Sequence, residues 1–343
     1  MHSETTLTEF IMREQLRFPR ATGDFLGLLH YVQLACKRIS SLVGQGLLVG
    51  ADSARTVARY IFFQTNEYSG LLASMLPGDA DEPSAVPDRY PRGHYLLVFD
   101  ALDSASDIDI NVPAGSVFSI LRCPDGEQPA SAAAFQQTGR HVLCAGYAIY
   151  GPTTMLMITV GRGTHGFTLD RGFGEFVLTH PDLRIPEETR ELAVNVSSEP
   201  YWEPPVRRYV AERVAGRSGP RGEDFTMRWI ASLVAEVHRI LIRGGLFLSP
   251  VDSRNPTEPG RLRLLHEAAP MAMLVEQAGG AASTGHELLL DVKPQSIRQR
   301  IPVILGSRSE VERIERYHRE HDAGIDEPFV SPLFNERSLY NRS

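Results

Sequence analysis

The stretch FDALDSASDIDINVPAGSVFSILR, residues 99–122, sets an apolar strand end, a turn loaded with acids and hydroxyls, and a second apolar run back to back. A strand that ends in this way delivers Asp100 and then Asp103 to a tight turn, where both carboxylates can be aimed into one cleft. Hard oxygen ligands so placed suit magnesium or manganese, which polarise a phosphoryl oxygen and activate water. Two aspartates three apart also cap ordinary turns, and spacing alone leaves that alternative open.

Outward from this turn the period stays that of strands. HYLLVFD, SVFSILR, VLCAGYAIY, TTMLMITVG and GFTLD are short β-branched or aromatic runs separated by Gly, Pro and Asp, which predicts a sheet built mostly of hairpins. Upstream, Thr5 or Thr6 caps a first helix through Phe10, Ile11 and Leu16, and a second runs from Phe25 to Val43 at helical spacing. Residues Ser53 to Met75 also read as helix, and the Pro-, Gly- and Asp-rich segment from Leu76 to Gly93 reads as loop. Downstream, helices are expected around WEPPVRRYVAERVAG, from Trp229 to Ile240, and over LRLLHEAAPMAMLVEQAGG up to the Gly279-Gly280 pair. GLFLS and IPVILGS read as strands, SEVERIERYHREH as the final helix, and the segment beyond Asp322 as a surface tail. The composite is a layered α/β fold with a boundary near residues 185–195, giving halves of 1–190 and 191–343.

A chain of 343 residues with formal net charge −7 has no sequence-wide basic surface, so neither nucleic acid nor anionic membrane is an expected partner. Cys36, Cys123 and Cys144 form no CxxC pair, which argues against a disulfide framework or structural zinc and for a reducing cytoplasm. No apolar run approaches a membrane span, and the start MHSETTLTEF lacks the regions of a signal peptide.

Three further places could carry chemistry. Glu267 opens a helix with Arg261 and Arg263 just before it, a pairing fit for a cation and a phosphate, or simply an acid at the positive end of the helix. Thr22 and Gly23 stand at a helix start, where free N–H groups bind phosphate or are plainly capped. Arg228 and His238 lie on the preceding helix, and a histidine in so apolar a setting reads as a hydrogen-bonded core residue. Neither HExxH nor GxSxG occurs.

Taken together, ATGDF, YPRGHYLLVFD, AGYAIYGPTTMLM, GEFVLTHP, MRWIASLVAEVHRIL, GRLRLLHEAAPMAMLVEQAGG and VILGSRSEVERI resemble class I fructose-1,6-bisphosphatase over nearly the whole chain. The resemblance implies that family's sugar-phosphatase fold, shared with inositol phosphatases. It also implies metal ligands at Asp100, the Leu102 carbonyl, Asp103 and Glu267, and sugar-phosphate contacts at Asn195, Arg228 and Arg261, with Arg228 supplied across a subunit interface of a homotetramer. Thr22, Gly23, Tyr95 and Arg140 match part of the family's AMP site.

Elsewhere the family pattern is not kept. Its D-P-L-D-G-S-S-N-I-D is here D-A-L-D-S-A-S-D-I-D, so the phosphate-binding turn reads Ser104, Ala105, Ser106, and Asp107 adds negative charge where an anion must sit. The family's Glu-Glu pair counts back onto Asp79 and Ala80, no carboxylate stands between Asp52 and Glu67, and tyrosines near the sugar become Ser198 and Ser249. These departures imply a reduced site that holds one magnesium or none, with Asp79 covering part of the lost ligand role. The expected function is weak or altered phosphatase chemistry on a phosphorylated sugar. Two alternatives are a metal-independent catalyst with His266 transferring the proton, and a non-catalytic homologue that binds a sugar phosphate or an AMP-like effector.

Overall fold

The computed structural model describes residues 5–17, 23–256, 258 and 260–326. Three helices open the chain: α1 (Leu7–Leu16), α2 (Asp24–Val43) and α3 (Ala51–Glu67). Thr6 caps α1, its hydroxyl accepting from the Glu9 N–H. They cover one face of an eight-stranded sheet in the order β2-β1-β3-β4-β5-β6-β7-β8. Its strands are β1 (Leu72–Pro77), β2 (Ser84–Ala85), β3 (Tyr95–Asp103), β4 (Ala114–Arg122), β5 (Val142–Tyr150), β6 (Thr154–Thr159), β7 (Thr164–Asp170) and β8 (Glu175–Leu183). From β3 to β8 each strand pairs antiparallel with the next, the hairpin sheet the sequence predicts. A short helix α4 (Ala132–Phe135) interrupts the β4–β5 connection.

The second half contributes β9 (Glu191–Val194), α5 (Pro204–Val214), β10 (Thr226–Met227), α6 (Leu233–Arg243), β11 (Leu246–Ser249) and β12 (Leu262–Arg263). It continues with α7 (Ala269–Gln277), β13 (Ala281–Ser283), β14 (Arg300–Ile301), β15 (Val303–Gly306) and α8 (Arg308–Asp322). Five of these strands form a sheet in the order β10-β9-β11-β15-β13. The helices α6 and α7 lie between the two sheets in one shared core that includes Val98, Tyr147, Val234, Leu274 and Leu305. Helices α5 and α8 close the outer face through Tyr209, Ile314 and Tyr317, joined by Trp202 just before α5. The result is five layers, helix–sheet–helix–sheet–helix.

Two local expectations are corrected. The helix expected from Ser53 to Met75 stops at Glu67, and residues 72–77 form β1, which pairs parallel with β3. The run LLASMLP is apolar without a clear period, which does not separate a buried strand from a helix, and Gly70 at φ +68 breaks the chain between them. The helix expected from Trp229 begins only at Leu233; β10 and a left-handed Ala231 at φ +65 precede it.

His238 is half-buried on α6 and hydrogen-bonded, as its setting predicts, with Nδ1 3.1 Å from the Tyr147 hydroxyl. Burial, with the nearby His180, pulls its imidazole down to about 4. The unfolded chain therefore takes up a proton that the folded one refuses, and stability is lost as pH falls from about 6.5 towards about 4. His238→Asn keeps a polar partner for Tyr147 without titrating, so its melting temperature should fall less steeply across that window than the parent's; an unchanged slope would contradict the assignment.

Candidate active site

The pairing of β3 with β4 shifts register between Asp100 and Asp103. The strand end thus turns out of the ladder, and both carboxylates share one space. From the other side, Leu264–Ala268 form a widened π-helical turn before α7 that carries Glu267. Pro270, in the first turn of α7, cannot donate the N–H of an ordinary helical bond, and such widened turns recur at functional sites. Ligand atoms of Asp100, Asp103 and Glu267 all lie within 4.8 Å of one another. Burial, reinforced by the charges of Asp100 and then Glu267, pushes the Asp103 carboxyl up to about 8. So crowded a set of acids demands a cation.

Arg263 supplies one. Its Nη2 pairs with Asp100 and stands 3.3 Å from Glu267 Oε1, its Nη1 donates to the Gly78 carbonyl, and its backbone N–H donates to Glu267 Oε2 at 2.5 Å. A Cβ on Gly78 would stand 2.6 Å from Arg263 Nη1 and 3.2 Å from Asp100 Oδ2, so glycine there leaves the room that the guanidinium fills. In front lies a cavity of about 260 Å³ lined by Arg55, Arg59, Asp79, Asp100, Asp103 and Arg263 among others, including Leu102 and Ser104. The carboxylate set, all hard oxygen, fits one divalent cation such as magnesium, provided that Arg263 withdraws.

A second, smaller pocket of about 40 Å³ gathers Asn195, Ser198, Trp229, Ser249, Asp252 and Arg261. Asp252 accepts from Arg261 at 2.8 Å and from Arg254 at 2.5 Å, and these arginines, Arg254 first, hold its carboxyl well below the usual range. Both guanidinium groups also reach the Ser198 hydroxyl, at 3.2 and 3.4 Å. Arg261 and Arg263 are two residues apart on an extended segment, so their side chains leave one face about 7 Å apart and serve the two pockets side by side.

Several expected residues lie elsewhere. Asp79 turns its carboxylate to Arg59 at 2.8 Å, and the residue beside Asp100 is Gly78, so Asp79 does not join the carboxylate cluster. Ala80 is not among the residues lining the cavity. His266 is buried and does not line the cavity; its ring lies beside the Leu76 and Pro77 carbonyls and makes no ordinary hydrogen bond among the described residues. Burial, then Arg263, drives its imidazole down to about 3, leaving a neutral ring at pH 7. Ala105 is fully buried and Ser106 exposed on the turn after Ser104. Asp107 has one buried oxygen without a hydrogen-bond partner among the described residues, and burial pushes its carboxyl up. Arg228 points to Glu191 at 2.8 Å, outside the second pocket.

For the effector site, Thr22 lies outside the described residues. Gly23 starts α2 without a side-chain cap, and Tyr95 packs against Phe25 with ring centroids 6.2 Å apart. Arg140 does not join them: Asp291 and Glu276 hold it, each at 2.8 Å. The arginine across from Tyr95 in the sheet register is Arg122. Sequence reasoning also missed Arg55 and Arg59, whose i, i+4 spacing on α3 put both on the cavity wall in a segment searched only for acids.

Residues 5–181 match the description "Fructose-1-6-bisphosphatase, N-terminal domain" and residues 185–319 match "Fructose-1-6-bisphosphatase, C-terminal domain". The chain belongs to the fructose-1,6-bisphosphatase family. It is 51% identical to "Fructose-1,6-bisphosphatase class 1" of Hydrogenophilus thermoluteolus, over 98% of this chain and 97% of that one. It is 49% identical to "Fructose-1,6-bisphosphatase class 1 3" of Methylibium petroleiphilum over 98% of both. Among solved structures it is similar to Leishmania major fructose-1,6-bisphosphatase in its holo form, with TM-score 0.85 and 33% identity over 92% of this chain and all of that one. The T-state of the same protein gives TM-score 0.84 and 34% identity, covering 93% of this chain and 99% of that one.

Ser104, where the sequence resemblance leads one to expect glycine, has a left-handed backbone at φ +56. The glycine-type turn is thus kept by a residue that it strains. Ser104→Gly should raise stability by roughly 0.5–1 kcal/mol, the strain relieved less the extra chain entropy of glycine. A lower denaturant midpoint in the variant would show that the 3.2 Å contact from the Ser104 hydroxyl to Asp103 matters more.

Proposed function

We propose that this chain is a sugar-phosphate monoesterase whose phosphate pocket relies on arginines and on at most one divalent cation. The observation that carries the reading is the cluster of Asp100, Asp103 and Glu267 with Arg263 inside it and the cavity open in front. The names of its relatives support fructose 1,6-bisphosphate as the first substrate to try. A cation bound at the three carboxylates would polarise the phosphoryl oxygen.

The chain's own groups do the rest. Arg55, which has no ion-pair partner among the described residues, offers its guanidinium to the phosphate oxygens, while Arg59 is steadied by Asp79. Burial, with the charges of Asp100 and Glu267, raises the Asp103 carboxyl, and a cation held there would favour its ionised form. Asn195, Ser198, Ser249 and Arg261 hold the distal phosphate of the sugar, with serines where the family pattern has tyrosines. The lost Glu-Glu pair, with Gly78 beside Asp100, leaves fewer groups to activate water, so turnover is slower than in a site with the full family pattern. We further propose a cytoplasmic homotetramer in which Arg228 serves a neighbouring subunit, and an AMP-like effector bound between the start of α2 and Tyr95.

A second reading has its own observation. Arg263 already satisfies Asp100 and Glu267, so the chain is stable as a sugar-phosphate-binding protein without turnover. Phosphate release from fructose 1,6-bisphosphate, measured with magnesium, manganese or EDTA, separates the two. The monoesterase reading expects cation-dependent release that EDTA abolishes and that Asp103→Ala lowers by about 100-fold or more. No release from folded protein would leave the binding role, and release that survives EDTA would point to metal-independent chemistry.

A further inference from the structure

We propose that Glu203, His286 and His318 form a binding site for a borderline divalent metal ion such as zinc, on the outer layer of the C-terminal half and separate from the carboxylate cluster. One ligand atom from each lies within 4.8 Å of the other two. The three come from different elements: Glu203 immediately precedes α5, His286 is on the loop after β13, and His318 is near the end of α8.

The orientation of His318 carries the argument. Its ring is buried, and Nδ1 lies 2.9 Å from the Ile314 carbonyl. A carbonyl only accepts, so Nδ1 bears the hydrogen, and in the neutral ring the Nε2 lone pair faces outward. Backbone carbonyls fix metal-binding imidazoles in just this way. What Nε2 meets is Glu203 Oε2 at 3.4 Å. Two ligand atoms at the ~2.0–2.1 Å bonds typical of zinc stand about 3.4 Å apart at tetrahedral angles, so this separation suits one ion between them.

The loop is shaped to bring in the third ligand. Gly285 has φ +104, and a Cβ there would stand 2.9 Å from the His318 ring, so only glycine lets the backbone pass this close. His286 follows, with its ring centroid 4.8 Å from that of His318 and the two planes at 76°. Asp322 Oδ2, 3.5 Å from His286 Nδ1, orients that ring or completes the ligand set. Two imidazoles and a carboxylate select zinc, cobalt or nickel over magnesium, the reverse of the all-oxygen cluster at Asp100. The ion would tie α5, α8 and the β13 loop together, a structural rather than catalytic role.

The test uses the full chain, loaded with zinc chloride, dialysed and assayed for metal content, beside His286→Ala; His286 is exposed, so its loss leaves the fold intact. The expected result is one zinc retained per chain and a melting temperature raised by about 3 °C or more, both lost in His286→Ala, with manganese uptake at the carboxylates unchanged. Cobalt substitution should give the intense visible bands of a tetrahedral nitrogen–oxygen site in the parent alone. Failure of the parent to retain zinc would overturn the proposal and leave His318 and Glu203 as a hydrogen-bonded pair. Equal retention by His286→Ala would place the ion elsewhere and overturn it as well.

Discussion

Arg263 among the carboxylates is the contact on which the site depends. Three acids drawn within 4.8 Å cannot all stay ionised without positive charge among them, and burial, then the charges of Asp100 and Glu267, raise the Asp103 carboxyl even with Arg263 beside it. The partners of Arg263 come from β3, from the loop after β1 and from the turn before α7, so this one side chain joins the N-terminal sheet to the C-terminal half. Gly78 makes the arrangement sterically feasible, since any side chain there would meet the guanidinium.

The layers explain why these segments meet. Parallel pairing of β1 with β3 sets Pro77 beside Phe99, so both strands release their chains at the same edge of the sheet. Helix α7, packed between the two sheets, holds the Glu267 turn against that edge from the opposite half. The second pocket is then reached by the same extended segment, with Arg261 lining it and Arg263 among the carboxylates. Arg55 on α3, which has no ion-pair partner among the described residues, completes a cavity in which positive and negative groups face one another, as binding a phosphate together with a cation requires.

Much of this was legible in the sequence because it depends on local pattern. The hairpin runs from β3 to β7 alternate or bury strongly, and the acidic turn after β3 announced Asp100 and Asp103. What was missed depends on pairing between distant segments. The strand β1 has an apolar run without a period and becomes a strand only because β3 lies beside it. Counting back from Asp100 put Asp79 among the ligands; it does line the cavity, but its carboxylate pairs with Arg59 and Gly78 is the residue beside Asp100. Arg122 reaches the side of Tyr95 by sheet register, which no spacing along the chain reveals, and Arg140 is taken by Asp291 and Glu276. The role of Arg263 as an internal cation was hidden for the same reason: its partners Gly78 and Asp100 lie more than 160 residues away.

The central claim is that Arg263 and a divalent cation compete for the same carboxylates. Manganese affinity of the parent and of Arg263→Met, measured by titration at pH 7 in the absence of substrate, tests it directly. If the guanidinium occupies the place of the ion, removing it should tighten manganese binding by about tenfold or more, one unit in the logarithm of the constant being about 1.4 kcal/mol of relieved competition. Equal or weaker binding in Arg263→Met would mean that the carboxylates take a cation without displacing Arg263, or take none, and the account of the site would fail.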